Sequence, residues 1–261
     1  MKPVALILGA SSGMGFACAQ RFAEAGFDLI LLYRARKSEA RQAEAAFAGW
    51  RAQGLRIWSY NRDALQEETL KSTLQEAQSN GLHINVLIHS IAKGNLKAIA
   101  PAPEALKSDQ NYLNPTDFQL TINAMAISYF TWSSALFHKS LLAPEASLLA
   151  LTSEGARKAW RHYGAVSAAK AALEAINRQL ALELGPYGHR ANILQPGVTD
   201  TPALRMIPNS DQLIEMARKR NPRGELTKAQ EVAEVAFALS QKQLSWINGA
   251  VIPVDGGESI V

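Results

Sequence analysis

An α/β architecture, one doubly wound parallel sheet of about seven strands with helices on both faces, is what this 261-residue sequence predicts. Three observations predict it. Short apolar runs alternate with helical stretches along the whole chain, the pattern of right-handed βαβ units. No linker-like stretch interrupts them, so residues 1–261 read as one dinucleotide-binding and catalytic domain. A glycine-rich turn, Gly9-Ala10-Ser11-Ser12-Gly13-Met14-Gly15, joins the first apolar run to the first helical one.

Val4 to Leu8 is a continuous apolar run, the signature of a parallel strand buried on both faces. The helix after the glycine turn runs to Ala25 and is stopped by Gly26 at its C′ position. Asp28 to Tyr33 is the second strand, followed by an Ala-, Arg- and Glu-rich helix from Lys37 to Gln53. Leu55 to Tyr60 is the third strand, Gln66 to Ser79 the next helix and Ile84 to His89 the fourth strand. From Ser90 to Asn114 the periodicity lapses around Gly94, Pro101 and Pro103, and a long irregular stretch of this kind is usually functional or mobile. A single helix is expected from Phe118 to Leu142, then a fifth strand from Ser147 to Thr152. A polar segment and a helix follow, to Leu184. Arg190 to Gln195 is the sixth strand, and an irregular substrate-side segment, 198–223, holds a short helix over Asp211 to Arg220. A helix over Lys228 to Gln241 and a last strand over Ala250 to Val254 complete a Rossmann-type order.

Composition narrows the function classes. Hydrophobic residues are 48% of the chain, enough for a sizeable core and too many for a disordered one. No apolar run reaches the length of a membrane span, and the opening residues are Gly-punctuated in a way that a signal peptide is not. Cys18 is the one cysteine, so an intrachain disulfide or a cysteine-based metal site is excluded. The expectation is a cytoplasmic protein with no membrane partner. The formal net charge is +4, with basic clusters at Arg34–Arg41, Arg157–Arg161 and Arg218–Arg223. No zinc-finger spacing, helix-turn-helix signal or repeat accompanies them, so nucleic acid is not the expected partner.

The spacing Gly9-x3-Gly13-x-Gly15 at a strand–helix junction suits a pyrophosphate. Glycines let the backbone approach it, and the free N–H groups of the helix N-terminus face it. Ser11, Ser12 and Met14 lie in the same turn. The end of the second strand selects the nucleotide. An acidic residue there would bind the ribose hydroxyls of NAD, but the chain reads Tyr33-Arg34-Ala35-Arg36-Lys37. Guanidinium groups match a 2′-phosphate in geometry and charge, so NADP(H) is expected, with Arg34, Arg36 or Lys37 as its ligands. Asp63, after the third strand, is an adenine contact or a turn residue.

Taken together these residues resemble the short-chain dehydrogenase/reductase family over nearly the whole chain. The glycine turn, Asn123 in Thr121-Ile122-Asn123-Ala124, Ser153, Tyr163 with Lys170, Pro196-Gly197 followed by Thr201, and Val254-Asp255-Gly256-Gly257 carry the resemblance. Leu8 stands where the family usually has threonine. Most members have Tyr-x3-Lys, yet Val166 occupies the position four before Lys170. Ser153 and Lys170 keep the family's usual interval, while the tyrosine has moved to Tyr163, giving Tyr-x6-Lys. That displacement, with His89-Ser90-Ile91-Ala92, is similar to the enoyl-acyl-carrier-protein reductases of bacterial fatty-acid synthesis. The ordinary glycine motif, with a serine at 153, looks like their divergent, NADPH-using branch. The Lys93–Asn114 segment is longer than that branch normally has.

The resemblance implies NADPH-dependent reduction of the 2,3-double bond of an enoyl thioester, carried by acyl carrier protein or coenzyme A, in a homotetramer. It implies Tyr163 as oxyanion donor and Lys170 as the charge that holds the nicotinamide ribose hydroxyls and acidifies Tyr163. Ser153 contacts substrate or caps a turn, and Asn123 serves a proton relay or a helix kink. Ser90, Ile91, Ala92, Pro196, Gly197, Val198 and Thr201 are implied to line the cofactor. Leu204, Met206, Ile207, Leu213, Ile214 and Met216 offer a lid with an apolar face for an acyl chain. Arg205, Arg218, Lys219 and Arg220 would meet an acidic carrier at its mouth. The alternatives are a carbonyl, 3-oxoacyl or alcohol dehydrogenase chemistry, and a non-catalytic NADP-sensing protein.

Overall fold

In a computed structural model, which describes residues 2–100, 112–207 and 210–261, the elements follow the expected alternation. They are β1 (Val4–Leu8), α1 (Gly13–Glu24), β2 (Asp28–Tyr33), α2 (Lys37–Ala52), β3 (Ile57–Asn61), α3 (Glu67–Ser79) and β4 (Ile84–His89). The second half comprises α4 (Pro115–Ile122), α5 (Ser128–His138), β5 (Leu142–Leu151), α6 (Gly164–Leu184), β6 (Arg190–Pro196), α7 (Pro202–Arg205), α8 (Ser210–Arg220), α9 (Ala229–Ser240) and β7 (Val251–Val254). The strands form one seven-stranded sheet in the order β3-β2-β1-β4-β5-β6-β7, and every pairing is parallel.

Successive strand residues point to opposite faces, so each face carries its own core. On one, Ile7, Leu31 and Leu149 pack with Phe22, Phe47 and Ala236 of α1, α2 and α9. On the other, Leu6, Leu32 and Leu87 pack with Leu74, Trp132 and Leu173 of α3, α5 and α6. The chain winds outward from β1 to β3, then returns to place β4 on β1's other side. That reversal opens a crevice at the carboxyl ends of β1 and β4, where nucleotide ligands of such sheets bind.

Two elements differ from the sequence expectation. The single helix expected over 118–142 is α4, a π-helical turn at Asn123–Ile127, and α5. Asn114 starts it with a reciprocal capping box to Asp117, and Pro115 takes the first turn. The helix ends at His138 because Ser140 turns with a positive φ of 54°. β5 starts at Leu142 rather than Ser147: Ile84 pairs with Leu142 and Val86 with Ser147, so the residues between them form a bulge containing Glu145 at φ 55°.

The segment after β4 has neither helix nor strand over 90–98. It is fastened to α4 instead. Asn95 Nδ2 and Lys97 Nζ donate to the Asp117 carboxylate at 2.7 and 2.9 Å, and Asn95 N donates to Thr121 Oγ1 at 3.1 Å. The remainder of the expected irregular stretch, 101–111, lies outside the described residues.

The β1–α1 turn seats against β4 with no room for side chains. A methyl group at Gly15 would overlap the Gly9 carbonyl oxygen, and one at Gly9 would overlap the Ser90 carbonyl oxygen. Both obstacles are backbone and cannot rotate away. Gly15→Ala is expected to destabilise the fold by about 1–3 kcal/mol through overpacking, measured as a lower urea midpoint with an unchanged m-value.

Candidate active site

A cleft of about 1120 Å³ opens where the carboxyl ends of β1, β4, β5 and β6 meet α1, α6 and the 202–220 segment. Its floor at one end is the glycine turn: Gly9, Ser11, Ser12, Gly13 and Met14 line it. Gly15 does not; it lies beneath the turn, where its missing side chain permits the packing just described. Ser90, Ile91 and Ala92 after β4, and Pro196, Gly197, Val198 and Thr201 after β6, line the same space. Thr201 caps α7, its Oγ1 accepting from Leu204 N at 3.2 Å, and its methyl faces Gly13.

Arg34 and Arg36 line the outer part of the cleft, beside Arg62 and Lys93. Lys37, the third basic residue expected there, begins α2, is exposed and is not part of the lining. Of its two expected roles, Asp63 shows the turn role directly. It lines the cleft, its Oδ1 accepts from Leu65 N at 3.0 Å as a turn residue, and its Oδ2 pairs with Arg34 at 3.0 Å and Lys93 at 3.3 Å. Burial works to raise its carboxyl pKa. The Leu65 N–H bond and the two cations outweigh that and hold it below the usual range.

At the inner end, Ser153, Tyr163 and Lys170 converge on the cleft. Tyr163 is the residue before α6, not part of it, and its hydroxyl donates to Ser153 Oγ at 3.3 Å. Ser153 also caps the short 3₁₀ turn that follows, accepting from Gly155 N at 3.2 Å. Of the two readings of that serine, the turn cap is the one present. The approach to Tyr163 is tightly specified: His162 sits at φ 64°, and the Trp160 ring lies 5.3 Å from the tyrosine ring at a 57° tilt.

Lys170, in the second turn of α6, is 7% exposed and donates from Nζ to the Leu151 carbonyl at 2.7 Å. Burial lowers its pKa to about 8. The expectation that this lysine acidifies Tyr163 is not met by the surroundings of the phenol. Burial of the phenol raises the Tyr163 pKa, the Ser153 hydroxyl only partly opposing it, so the tyrosine is a protonated donor at neutral pH. His89, first residue of the fourth-strand motif, is buried at the end of β4 with Nε2 2.7 Å from Ser128 Oγ. Burial drives its pKa down to about 3, so it is neutral.

Three further expectations are corrected. Asn123 is exposed and does not line the cleft; it opens the π-helical turn, so of its two expected roles the kink is the one present. Of the six lid residues, Leu204, Met206, Ile207 and Leu213 line the cleft. Ile214 is buried and Met216 is 55% exposed, because α8 turns those positions to other faces. The basic patch for a carrier protein is largely neutralised from within. Arg205 pairs with Asp200 and Asp211 at 2.7 Å, Lys219 with Glu215 at 2.8 Å, and Arg220 with Glu154 and Glu258 at 3.0 and 2.6 Å.

Sequence reasoning missed Glu154, Trp160, Asp255 and Glu258 as cleft residues. Glu154 and Trp160 lie between Ser153 and Tyr163, and that proximity was a usable signal. Glu258 reaches the site only through folding: its Oε2 accepts from Val198 N at 2.9 Å, tying the C-terminal turn to the end of β6.

The glycine turn and the start of α1 present backbone rather than side chains to the cleft, which is what a pyrophosphate needs, so the residues fit a nicotinamide dinucleotide. Comparison with known proteins agrees. Residues 9–259 match the family model described as Enoyl-(Acyl carrier protein) reductase. The peroxisomal 2,4-dienoyl-CoA reductase of Mus musculus is 28% identical over 97% of this chain and 82% of its own. The solved enoyl-acyl-carrier-protein reductase (NADH) of Aquifex aeolicus superposes with a TM-score of 0.81 at 25% identity, covering 99% of this chain and 97% of that one. A short chain dehydrogenase from Burkholderia cenocepacia, solved in complex with NADP, gives 0.80 at 27% identity over 98% and 97% of the two chains. The chain thus belongs to the short-chain dehydrogenase/reductase family of nicotinamide-dependent oxidoreductases, within the group that the enoyl reductase model describes.

Proposed function

We propose that this protein uses NADPH to reduce the 2,3-double bond of an enoyl thioester. The observation that carries the reading is the seat of Tyr163. Its hydroxyl enters the cleft from the loop before α6, next to Ser153, instead of from the helix turn nearest Lys170.

Conjugate reduction places negative charge on the thioester oxygen, one bond system away from the carbon that is attacked. A donor for that oxygen belongs farther from the reacting carbon than the proton donor of a carbonyl reductase does. Tyr163 suits the task because burial keeps its O–H intact, and a fixed O–H aimed at a developing oxyanion stabilises it without reorganisation. Ser153 aligns the tyrosine. Lys170, held at Leu151 O, supplies a buried positive charge for the ribose hydroxyls. Arg34 and Arg36 meet the 2′-phosphate. The bound nicotinamide supplies the hydride. Leu96, Met125, Trp160, Val166, Met206 and Ile207 give the cleft an apolar wall for the acyl chain.

Two of the relatives named above, the dienoyl-CoA reductase and the enoyl-acyl-carrier-protein reductase (NADH), support enoyl chemistry by their descriptions, and the Burkholderia dehydrogenase was solved with NADP. The Arg34–Arg36 pair favours NADPH here. A homotetramer is the assembly we expect, and the exposed apolar stripe of Leu120, Ile127 and Phe130 along α4 and α5 supports self-association. No helix among the described residues is long and apolar enough to cross a membrane. A carbonyl or 3-oxoacyl reductase is the second reading, favoured by the Ser153–Tyr163 hydrogen bond, which would serve a ketone oxygen as well.

NADPH oxidation with crotonyl and longer enoyl thioesters, on coenzyme A and on acyl carrier protein, is expected to exceed that with acetoacetyl thioesters and simple ketones. Turnover of ketones alone would replace the first reading with the second. Tyr163→Phe should lower kcat by about 10²–10³-fold, the usual cost of one oxyanion donor; unchanged turnover of every substrate would point to a non-catalytic nucleotide sensor. Arg34→Ala and Arg36→Ala should each raise KM for NADPH by about tenfold, the loss of one charge-assisted bond, with KM for NADH nearly constant. Lys170 acts while protonated and has a pKa of about 8. Its charge is lost as pH rises, so kcat/KM for NADPH should fall about tenfold per pH unit above about 8 and be flat below it.

A further inference from the structure

We infer that Gly155 is the positioning residue for Tyr163, which rests on the catalytic reading of that tyrosine. Gly155 is buried in the 3₁₀ turn Glu154–Ala156. A Cβ at this position would lie 2.5 Å from Tyr163 Cε1, 2.7 Å from Cδ1 and 3.4 Å from Trp160 Cζ3. Its backbone is not among those with positive φ, so an alanine has no conformational objection there. The tyrosine ring is the obstacle.

Carbon atoms in contact sit about 3.5–4.0 Å apart, so a methyl group would drive the ring back by about 1 Å. Retreat is blocked. Trp160 covers the ring, and Met125, Val166 and Ala169 form the apolar cluster against which it packs. The backbone entering Tyr163 is already set by His162 at φ 64°. The Tyr163–Ser153 hydrogen bond, at 3.3 Å, is already longer than the usual O–H···O range of about 2.5–3.0 Å and has no slack for such a shift. Gly155 also holds the partner: its N–H donates to the same Ser153 Oγ at 3.2 Å. One residue thereby fixes both the ring and the Ser153 hydroxyl that accepts the tyrosine's O–H. A tyrosine in the loop, without the helix to aim it, obtains its direction from this packing.

The test compares wild type, Gly155→Ala, Tyr163→Phe and the double variant, with crotonyl coenzyme A and NADPH as probes. Gly155→Ala should lower kcat by about 10²-fold, the cost of misplacing a reacting group by about 1 Å, while the Kd for NADPH holds. In the Tyr163→Phe background the same change should alter kcat by no more than about twofold, since both act through one hydroxyl. Equal losses in the two backgrounds, or near-normal kcat in Gly155→Ala alone, would overturn the inference. Normal turnover in Tyr163→Phe would instead remove the catalytic reading itself. A second measurement covers a poorly folding single variant. Removing the ring with Tyr163→Ala should restore the Tm lost to Gly155→Ala, and no restoration counts against the steric seat.

Discussion

The close approach of the Gly9 and Ser90 backbones governs this molecule. β1 and β4 are neighbours in the sheet although two βα units separate them in the chain. The turn leaving β1 must therefore pass directly against the segment leaving β4. Gly9, with Gly15 packed on its carbonyl, lets the two backbones meet without a side chain between them. That contact points the first turn of α1 into the crevice, and the free N–H groups of a helix start are what a pyrophosphate needs.

The catalytic end depends on a different balance, between burial and charge. α6 buries Lys170, Glu174 and Asn177 on the face that meets β5 and β6. Each has a partner: Lys170 donates to Leu151 O, Glu174 accepts from Thr152 Oγ1 and Arg157, and Asn177 Nδ2 donates to Ala191 O. Unpaired, such groups would be costly to bury. Paired, they lock the helix in rotation against the sheet, so the lysine is delivered to the cleft at a fixed depth. The same burial lowers the lysine's proton affinity and raises that of Tyr163, so two donors on one wall are moved in the opposite sense.

The third wall is assembled by Arg220. It joins Glu154, beside Ser153, to Glu258 in the C-terminal turn, and Glu258 in turn holds Val198 N. Asn221 adds a bond to Asp255 O at 2.9 Å. The end of α8 is thus anchored to the loop beside Ser153 and, through Glu258, to the end of β6. Its other end is held by the exposed Arg205 pairs, which contribute little in water.

The sequence by itself determined the order of strands and helices, the glycine cradle and the serine–lysine interval. These are local signals: β1, β2 and β4 have the bounds that their apolar runs predict, because a strand buried on both faces is a continuous run with polar or glycine ends. Only the tertiary structure decided where the charges went. Arg220 and Glu154 are 66 residues apart, and no local pattern shows that Arg220, alone of the cluster near 218–223 among the described residues, pairs across the fold. Asn123 matched its motif yet faces outward, since a π-helical turn resets the helix phase, an effect of packing that residue spacing does not encode. Tyr163 was legible as displaced from Lys170. Its direction was not, because Gly155, Trp160 and Ser153 converge on it through space.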